Sequence, residues 1–390
     1  MRIAHVITRL ILGGAQENTV LCCEDLMRQH GDQVLLVTGP PLGPEGSLLD
    51  RARAGGVALE LVDALRRPIH PWRDWRSYRR LKRILRELKP DVVHTHSAKG
   101  GILGRAAAWS LGVPAVVHTV HGAPFHPYQN AAVRAAYRWC ERWAARRCHH
   151  LVSVADAMTD LMVAGGVAPR EKFTTIYSGM EVEPFLDAAR HRDRVRAQFG
   201  YDPEHVVIGK IARLFHLKGH EYVLRAFEQL VRRVPNARLL LVGDGVLRKR
   251  LTRQIHAAGL EDHVQLAGLV APDRIPGLIA AMDVVVHASL REGLARVLPQ
   301  ALIAGKPVVS YDVDGAREVV IAEETGFLLR PKSVEPMAAA LGRLVGDPAL
   351  RNRLGAEGRR RLTDRFRHDR MTRQIRDLYE RLLAGGEGRG

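Results

Sequence analysis

Apolar runs of four to eight residues alternate along the chain with longer stretches in which apolar side chains recur every three or four positions. Short runs rich in β-branched residues predict buried strands, and the stretches between them predict helices. Strands are predicted at 2–8, 33–38, 57–62, 91–97, 115–120, 151–154 and 173–177, and then at 206–213, 237–242, 264–269, 283–288 and 307–312. This alternation is typical of parallel sheets with helices on both faces.

The strands form two series, which predict an α/β protein of two Rossmann-like, doubly wound domains. The first predicted domain covers residues 1–180 and the second covers 181–364. The charged stretch 187–196 is interpreted as the connection between them. A chain of 390 residues with 46% hydrophobic content is long enough to build two such cores.

In doubly wound sheets, ligands bind at the carboxyl ends of the strands. Gly13 and Gly14 follow the first strand and precede a helix, where backbone amides can meet an anionic group. A purely structural turn is the more ordinary interpretation of two glycines. The pattern is not the GxGxxG fingerprint, so an NAD-binding domain is not indicated.

Histidines follow two neighbouring strands of the first domain. His94 and His96 end one strand before Ser97 and Lys99, and the next strand ends in His118-Thr119, shortly before His121 and Gly122. Such histidines are either hydrogen-bonded scaffold or ligand-binding groups. We select His121 because the glycine directly after it leaves room for a ligand.

In the second domain, Arg213 and Lys218 lie on one loop before a helix predicted to begin near His220. Two cations beside a helix N-terminus suit a diphosphate, although a solvated loop is the alternative. The next strand ends at Gly243, in a glycine-rich turn, and the third ends shortly before Val270.

Glu292 lies on the loop that leaves the strand 283–288, and Gly293 allows the backbone there to approach a ligand. A helix predicted near Arg296 directs its first N–H groups toward the same crevice. The alternative is an ordinary loop acid. Asp312 and Asp314 form a DxD pattern, but we interpret them as caps of a helix from about Ala316, so no metal site is predicted.

The composition predicts a cytoplasmic protein. No apolar stretch reaches the roughly 18 residues that span a bilayer, and the N-terminus lacks the apolar core of a signal peptide. The four cysteines show no CxxC spacing, which favours buried thiols in a reducing compartment. Cys148 and His149 precede a strand, where successive side chains diverge, so a shared metal is not expected.

The formal net charge of +17 is concentrated in one segment. Residues 66–89 contain ten Lys or Arg against two acids, a net of +8. An apolar stripe on the predicted helix from Pro71 indicates either a sheet-covering helix with a basic outer face or a peripheral surface for anionic membranes. The stripe consists of Trp75, Tyr78, Leu81, Leu85 and Leu88.

Together these motifs resemble the family-four retaining glycosyltransferases, whose GT-B fold has two Rossmann-like domains facing across a cleft. The resemblance covers nearly the whole chain and rests on GGA at 13–15, HTVHG at 118–122, RLFHLKG at 213–219, VGDG at 242–245 and REGLARVLPQALIAGKPVV at 291–309. It implies that the helical pattern 365–383 crosses back to complete the first domain.

The resemblance also implies roles for individual residues. Arg213 and Lys218 would hold the donor diphosphate, Glu292 the sugar hydroxyls, and the backbone near Val270 the base. The turns at Gly13, Gly14, Gly243 and Gly293 and the amides near Leu294 and Ala295 would contact the nucleotide sugar, and His121 would reach the donor sugar. The family usually has a second glutamate where this chain has Gln300, whose amide oxygen can still accept a ribose hydrogen bond.

The expected reaction moves a sugar from a UDP- or GDP-sugar to an acceptor hydroxyl with retention, without a metal or a further cofactor. The expected acceptor is a glycan or a lipid-linked sugar in polysaccharide or glycolipid synthesis. A sugar-nucleotide 2-epimerase of similar fold is one alternative. A nucleic-acid-binding protein is the other, and an aromatic content of 5% argues against it because single strands stack on aromatic side chains.

Overall fold

The computed structural model describes residues 1–43 and 46–386 and divides into two compact units. One unit comprises Met1–Met180 with Phe366–Gly390, and the other comprises Glu181–Arg365. Each unit contains one parallel sheet among its described residues. Two Rossmann-like α/β units were predicted, and the structure confirms them.

The first unit has the strand order β3-β2-β1-β4-β5-β6-β7. Its strands are β1 (Arg2–Arg9), β2 (Gln33–Gly39), β3 (Ala58–Leu61), β4 (Val92–His96), β5 (Ala115–Val120), β6 (His150–Ser153) and β7 (Phe173–Thr175). The order reverses between β1 and β4, where His5 is paired with His94. This reversal is the topological switch point at which doubly wound sheets bind ligands.

Helices cover both faces of this sheet. They are α1 (Gly14–His30), α2 (Leu49–Ala54), α3 (Pro71–Leu88), α4 (Ala98–Trp109), α5 (Ala131–Ala145) and α6 (Asp156–Ala164). The helix α4 packs between α3 and α5. Gly101 permits its close approach to the sheet, because a Cβ there would lie 2.5 Å from the His118 ring.

The second unit has the strand order β10-β9-β8-β11-β12-β13. Its strands are β8 (Val206–Ile211), β9 (Ala237–Val242), β10 (Val264–Gly268), β11 (Val284–His287), β12 (Val308–Tyr311) and β13 (Gly326–Leu329). Its helices are α7 (Glu183–Leu186), α8 (Arg192–Gln198), α9 (His220–Val231), α10 (Arg248–Ala257), α11 (Ile275–Ala281), α12 (Val297–Ile303), α13 (Glu335–Gly346) and α14 (Pro348–Leu362). Its core includes Phe227, Leu241, Val286 and Leu341.

The last helix, α15 (His368–Gly386), belongs to the first unit, where it packs on α1. Its Ile375 and Tyr379 join the core that contains Ile7 and Val117. A helical pattern was predicted to begin at residue 365. The structure instead has a 3-10 turn at Asp364–Phe366 before the helix.

The stretch 187–196 is not a linker, contrary to the sequence interpretation. The helix α8 packs against α11 within the second unit. Arg192 and Arg196 both pair with Asp283, at 2.6 and 3.3 Å, and Arg196 is buried. The charges in this stretch therefore anchor it to the unit. In the described part of the chain, no helix is long and apolar enough to cross a membrane.

Candidate functional site

The carboxyl edge of the second sheet collects the loops that follow β8, β9, β10, β11 and β12, since all these strands are parallel. The order reverses between β8 and β11. Arg213 and Lys218 lie on the loop after β8, and Glu292 lies on the loop after β11. The three polar residues selected from the sequence thus surround the switch point of one sheet.

Lys218 and Glu292 form an ion pair across this switch point. Their side chains are 20% and 21% exposed, so the pair is largely buried but still reaches the surface. Burial raises the pKa of the Glu292 carboxyl, but the ammonium of Lys218, together with His287 and Ser289, outweighs this effect and leaves the pKa below its ordinary value. Glu292 is therefore an ionised hydrogen-bond acceptor at neutral pH.

The loop that carries Glu292 is fixed by backbone hydrogen bonds. The Glu292 N–H donates to Asp314 Oδ2 at 2.6 Å, and the Gly315 N–H donates to the Gly293 carbonyl at 3.1 Å. From the other side, the Leu290 N–H donates to the Leu217 carbonyl at 2.8 Å. The loops after β8, β11 and β12 therefore hold one another in place.

The interpretation of Asp312 and Asp314 as helix caps is wrong. The predicted helix is a 3-10 turn, Asp314–Glu318, and neither aspartate caps it in the described structure. Asp312 pairs with Arg317 at 2.7 Å, whereas Asp314 accepts the Glu292 N–H. Asp314 thus supports the loop of Glu292, a role that the sequence did not indicate.

The loop after β8 ends at Gly219, directly before α9. Gly219 has a φ of +66°, and a Cβ there would lie 1.9 Å from the Ala288 carbonyl oxygen, so only glycine allows this approach to the loop after β11. In the part of the chain that the structure describes, no side chain caps the N-terminus of α9. The first N–H groups of this 12-residue helix lie next to Lys218.

Arg213 is held by its own loop. Its guanidinium lies 5.1 Å from the centre of the Phe215 ring, and its carbonyl accepts a hydrogen bond from His220 Nε2 at 3.0 Å. Burial lowers the pKa of His220 to about 3, so this imidazole is neutral and donates from Nε2. The first residue of α9 thus holds the loop in place. The sequence predicted that a helix begins at this residue.

The remaining predicted residues of the second unit lie along the same edge. Gly243 has a φ of +134°, and a Cβ there would lie 2.2 Å from the Ala212 carbonyl oxygen. Val270 is half-buried beyond β10 at the edge of the sheet. The turn before α12 contains Leu294, which is half-buried, and Ala295, which is buried, and half-buried Gln300 follows within α12.

Beneath the ion pair lies a group of buried polar side chains that sequence analysis missed. Lys210 Nζ, both ring nitrogens of His287 and His220 Nδ1 are buried without a hydrogen-bond partner among the described residues. Burial and the nearby ammonium of Lys218 lower the pKa of Lys210 to about 7. The signal in the sequence was a lysine and a histidine within strand runs that are otherwise apolar, VVIGKI and VVVH.

In the first unit, Gly13 and Gly14 lie at the predicted turn from β1 to α1. Gly13 precedes the helix in an extended conformation, with a φ of 174°, so its backbone does not require glycine. His121 follows β5, is half-buried, and has its Nε2 3.1 Å from His96 Nδ1. His5 on β1, which the sequence did not suggest, lies 3.0 Å from His96 on the other side.

The basic segment 66–89 forms α3 and the loop before it. Leu81 and Leu85 of the predicted apolar stripe are buried, but Trp75 is 45% exposed. Trp75 stacks on Trp72, with ring centres 4.8 Å apart, and Arg79 lies over the Trp75 ring. Within the stripe, Leu81 and Leu85 are therefore buried, Tyr78 and Leu88 are half-buried, and Trp75 is exposed.

Two family models match the chain. The one described as "Glycosyl transferases group 1" matches residues 191–361, and the one described as "Glycosyl transferase 4-like domain" matches residues 13–179. The boundary between the two matches falls near the boundary between the two units.

Curated relatives are named as sugar transferases. The Escherichia coli UDP-Gal:alpha-D-GlcNAc-diphosphoundecaprenol alpha-1,3-galactosyltransferase is 29% identical over 382 residues, which are 97% of this chain and 96% of the relative. The alpha-D-kanosaminyltransferase of Streptomyces kanamyceticus is 30% identical over 251 residues, 63% and 64% of the two chains. These comparisons give the epimerase alternative no support.

Solved structures share the fold. The Anabaena protein HepE, in complex with UDP, is 23% identical, with a TM-score of 0.82 over 97% of this chain and 100% of that one. The sucrose-phosphate synthase of Thermosynechococcus elongatus is 22% identical, with a TM-score of 0.82 over 99% and 100%. At these identities the likeness extends to the fold.

Proposed function

The chain belongs to the GT-B glycosyltransferases of the family 4 type, and from this premise we propose that it transfers a sugar from a UDP-sugar to an acceptor hydroxyl, with retention at the anomeric carbon. The observation that carries the proposal is the convergence of Arg213, Lys218 and Glu292 on the switch point of the second sheet. UDP is favoured because the E. coli relative is named for a UDP-sugar and HepE was crystallised with UDP.

The order of the loops along the sheet suits a nucleotide sugar. Val270 follows β10, Lys218 follows β8 and Glu292 follows β11. Strands are spaced by about 4.8 Å, so β10 and β11 are separated by about 14 Å, close to the length of an extended nucleotide sugar. The base would lie near Val270, the diphosphate near Lys218 and the sugar near Glu292, with Gln300 accepting a ribose hydroxyl.

The leaving diphosphate develops negative charge as its bond to the sugar breaks. Arg213, Lys218 and the first N–H groups of α9 would stabilise that charge, each well-placed donor contributing on the order of a few kcal/mol. When the donor binds, Lys218 would leave Glu292 and pair with the diphosphate. The Glu292 carboxylate would then accept hydrogen bonds from the sugar hydroxyls. We propose that no metal takes part, because Asp312 and Asp314 are bonded to Arg317 and to the Glu292 N–H.

A transfer assay tests this function. Purified protein is incubated with UDP-galactose, UDP-glucose or UDP-N-acetylglucosamine, a diphosphate-linked lipid sugar as acceptor, and EDTA. We expect one donor to yield a product heavier by the sugar residue that it carries, in the α configuration by NMR. Isomerised donor without transfer would instead support the epimerase.

The acceptor is proposed to be lipid-linked, and the protein to bind peripherally at the inner face of an anionic membrane. On α3 and its preceding loop, Ile69, Trp72 and Trp75 are 80%, 61% and 45% exposed within a segment of net charge +8. The helix α5, which packs on the other side of α4, exposes Trp139 and Val133 beside its own arginines. Interfacial aromatics flanked by arginines bind anionic headgroups.

Liposome flotation tests the membrane proposal. Wild-type protein should float with vesicles containing phosphatidylglycerol and much less with phosphatidylcholine alone. The double variant Trp72→Ala, Trp75→Ala should lose most of this binding, while Leu269→Ala, an exposed apolar residue of the second unit, should retain it. Equal flotation with both vesicle types would contradict the proposal.

A further inference from the structure

Lys210 is a fully buried lysine at the centre of the second sheet. It lies on β8, which pairs with β11 at the switch point, and its side chain is 0% exposed. Its Nζ has no hydrogen-bond partner among the residues that the structure describes. A buried amine without a partner carries a cost in free energy that an apolar side chain of similar size would avoid. Its presence in a strand that is otherwise apolar therefore points to a functional role.

The ion pair of Lys218 and Glu292 lies close to Lys210. Gly209 is the register partner of Val285 on β11, so Lys210 lies one position further toward the carboxyl edge, where the loops that carry the pair begin. Burial and then the ammonium of Lys218 lower the pKa of Lys210, whereas the carboxylate of Glu292 raises it. The three titratable groups are therefore electrostatically coupled.

Three other titratable side chains face Lys210 from the elements packed around it. They are Glu221 and His220 on α9 and His287 on β11. Burial lowers the pKa of both histidines to about 3, so both rings are neutral near pH 7. Glu221 raises the pKa of Lys210, but less than Glu292 does. Lys218 and Glu292 are therefore the charges that chiefly decide the protonation of Lys210.

Donor binding changes both of these influences. In the proposed reaction, Lys218 leaves Glu292 and pairs with the diphosphate of the donor. The largely buried Glu292 carboxylate then loses the cation that is bonded to it, which is unfavourable in the interior of a protein. At the same time the positive charge beside Lys210 is neutralised by an anion. Both changes favour the ammonium form of Lys210.

We propose that Lys210 is a positioning residue that acts as the second counter-ion of Glu292: when Lys218 pairs with the donor diphosphate, Lys210 takes up a proton from the solvent and its ammonium compensates the carboxylate. Glu292 then stays ionised and in place for the sugar hydroxyls. Lys210 makes no bond to the donor and acts only through Glu292. The departure of Lys218 rests on the proposed function, whereas the coupling of the three residues does not.

Two neighbours of Glu292 are rival counter-ions. Burial lowers the pKa of Arg291, while Asp314 and Glu292 raise it, but a guanidinium stays charged in proteins and so takes up no proton. His287 Nε2 lies 3.8 Å from Glu292 Oε1. Burial holds the pKa of this ring at about 3, far below neutral pH. Proton uptake above neutral pH thus distinguishes Lys210 from both rivals.

Titration calorimetry of UDP into the full chain at pH 8 measures this uptake. The observed heat varies with the ionisation enthalpy of the buffer in proportion to the protons bound, and the phosphates of UDP are already ionised at this pH. We expect the wild type to take up roughly 0.4–0.8 of a proton, as for a pKa that rises from about 7 by one to two pH units.

Two lysine variants identify the group that takes up the proton. Lys210→Met should bind UDP without proton uptake. Lys306→Met should take up as much as the wild type. Lys306 is a matched control because burial lowers its pKa to about 8, but it precedes β12 at the opposite edge of the sheet. No uptake in the wild type, or undiminished uptake in Lys210→Met, would overturn the proposal.

Lysine NMR tests the coupling without a donor. In the full chain labelled with ¹³C-lysine, the Cε resonance that disappears in Lys210→Met reports the pKa of Lys210. We expect Lys218→Met to raise this pKa by at least about one pH unit, because it removes the neighbouring ammonium and leaves Glu292. Adding Glu292→Gln to Lys218→Met should cancel most of the rise, whereas adding Glu221→Gln should cancel less.

The two experiments separate this proposal from the proposed function. Circular dichroism checks that each variant folds. An unchanged titration of Lys210 in Lys218→Met would overturn the role of Lys210, even if UDP binds. If UDP does not bind to the wild type, the proposed function fails, while the lysine titration still decides whether Lys210 responds to Lys218 and Glu292.

Discussion

Lys218 and Glu292, which are 74 positions apart in the chain, form an ion pair at the switch point of the second sheet. In the proposed reaction each residue has a different partner: Lys218 binds the diphosphate of the donor, and Glu292 binds its sugar. Their mutual bond keeps both charges satisfied while no donor is bound. In the proposed reaction, donor binding would therefore exchange one set of charge-assisted hydrogen bonds for another instead of ordering free side chains.

Removing either partner should reduce turnover. In the proposed reaction, Lys218→Ala would remove a donor to the leaving diphosphate, and Glu292→Ala would remove the acceptor for the sugar hydroxyls. We expect each to lower kcat at least tenfold, which is about 1.4 kcal/mol of transition-state stabilisation. Steady-state transfer assays at saturating donor measure this.

The matched control is Lys249→Ala, which removes an exposed lysine of the same unit. Its kcat should stay within about twofold of the wild type, as expected for a surface substitution. Near-normal turnover in both Lys218→Ala and Glu292→Ala would remove the basis of the assignment.

Gln300→Glu should maintain or strengthen UDP binding, by up to about tenfold. A carboxylate accepts a ribose hydrogen bond more strongly than an amide. Gln300→Met, of similar size but without an acceptor, should weaken binding. Isothermal titration of the variants gives the dissociation constants, and a large loss in Gln300→Glu would show that the residue does not face the ribose.

Lys210→Met should stabilise the protein most at and below about pH 7. The folded-state pKa of Lys210 is lowered from 10.5 to about 7, so between these values the unfolded chain binds one more proton than the folded chain. Wild-type stability therefore falls as the pH drops from about 10 to about 7, and methionine removes this penalty, which is on the order of a few kcal/mol.

Urea denaturation at pH 7, 8 and 9 measures the difference between the wild type and Lys210→Met. The advantage of the variant should shrink as the pH rises, while Lys249→Met should show no such trend. A difference that does not change with pH would mean that Lys210 is charged in the folded state.

The buried ion pair between Arg105 and Glu141 should be essential to the first unit. The two side chains are 0% and 3% exposed and 2.9 Å apart, joining α4 to α5. Glu141→Ala leaves a buried guanidinium without its carboxylate and should lower the free energy of unfolding by about 3–5 kcal/mol. The double variant Arg105→Met, Glu141→Leu should recover much of it. A loss below about 1 kcal/mol in chemical denaturation of Glu141→Ala would contradict this.

Much of the fold was predictable because periodicity and turn residues are local signals. The strand β5 has its predicted bounds, and α9 begins at His220 as expected. The strand β13 was missed because it has only four residues, the first of them a glycine and two of them half-exposed. Short strands lack the alternation that identifies a strand in a sequence.

Only those residues of the site that lie on loops after strands were predictable from the sequence. Arg213, Lys218 and Glu292 stand on loops after strands, a position that the sequence reveals. Asp314 and His5 act through partners 22 and 91 positions away, and no local pattern reports such contacts. A single sequence shows which residues end a strand, but not which loops the strand order brings together.

The measurement that tests the central claim most directly is a thermal-shift panel of UDP, GDP, ADP and CDP, with and without EDTA. At about 100 times its dissociation constant a ligand adds roughly 2.7 kcal/mol of stability. We predict a shift with UDP that EDTA does not change, that His121→Ala retains and that Lys218→Ala loses. No shift with any nucleotide, or a UDP shift undiminished in Lys218→Ala, would contradict a donor site at the switch point of the second sheet.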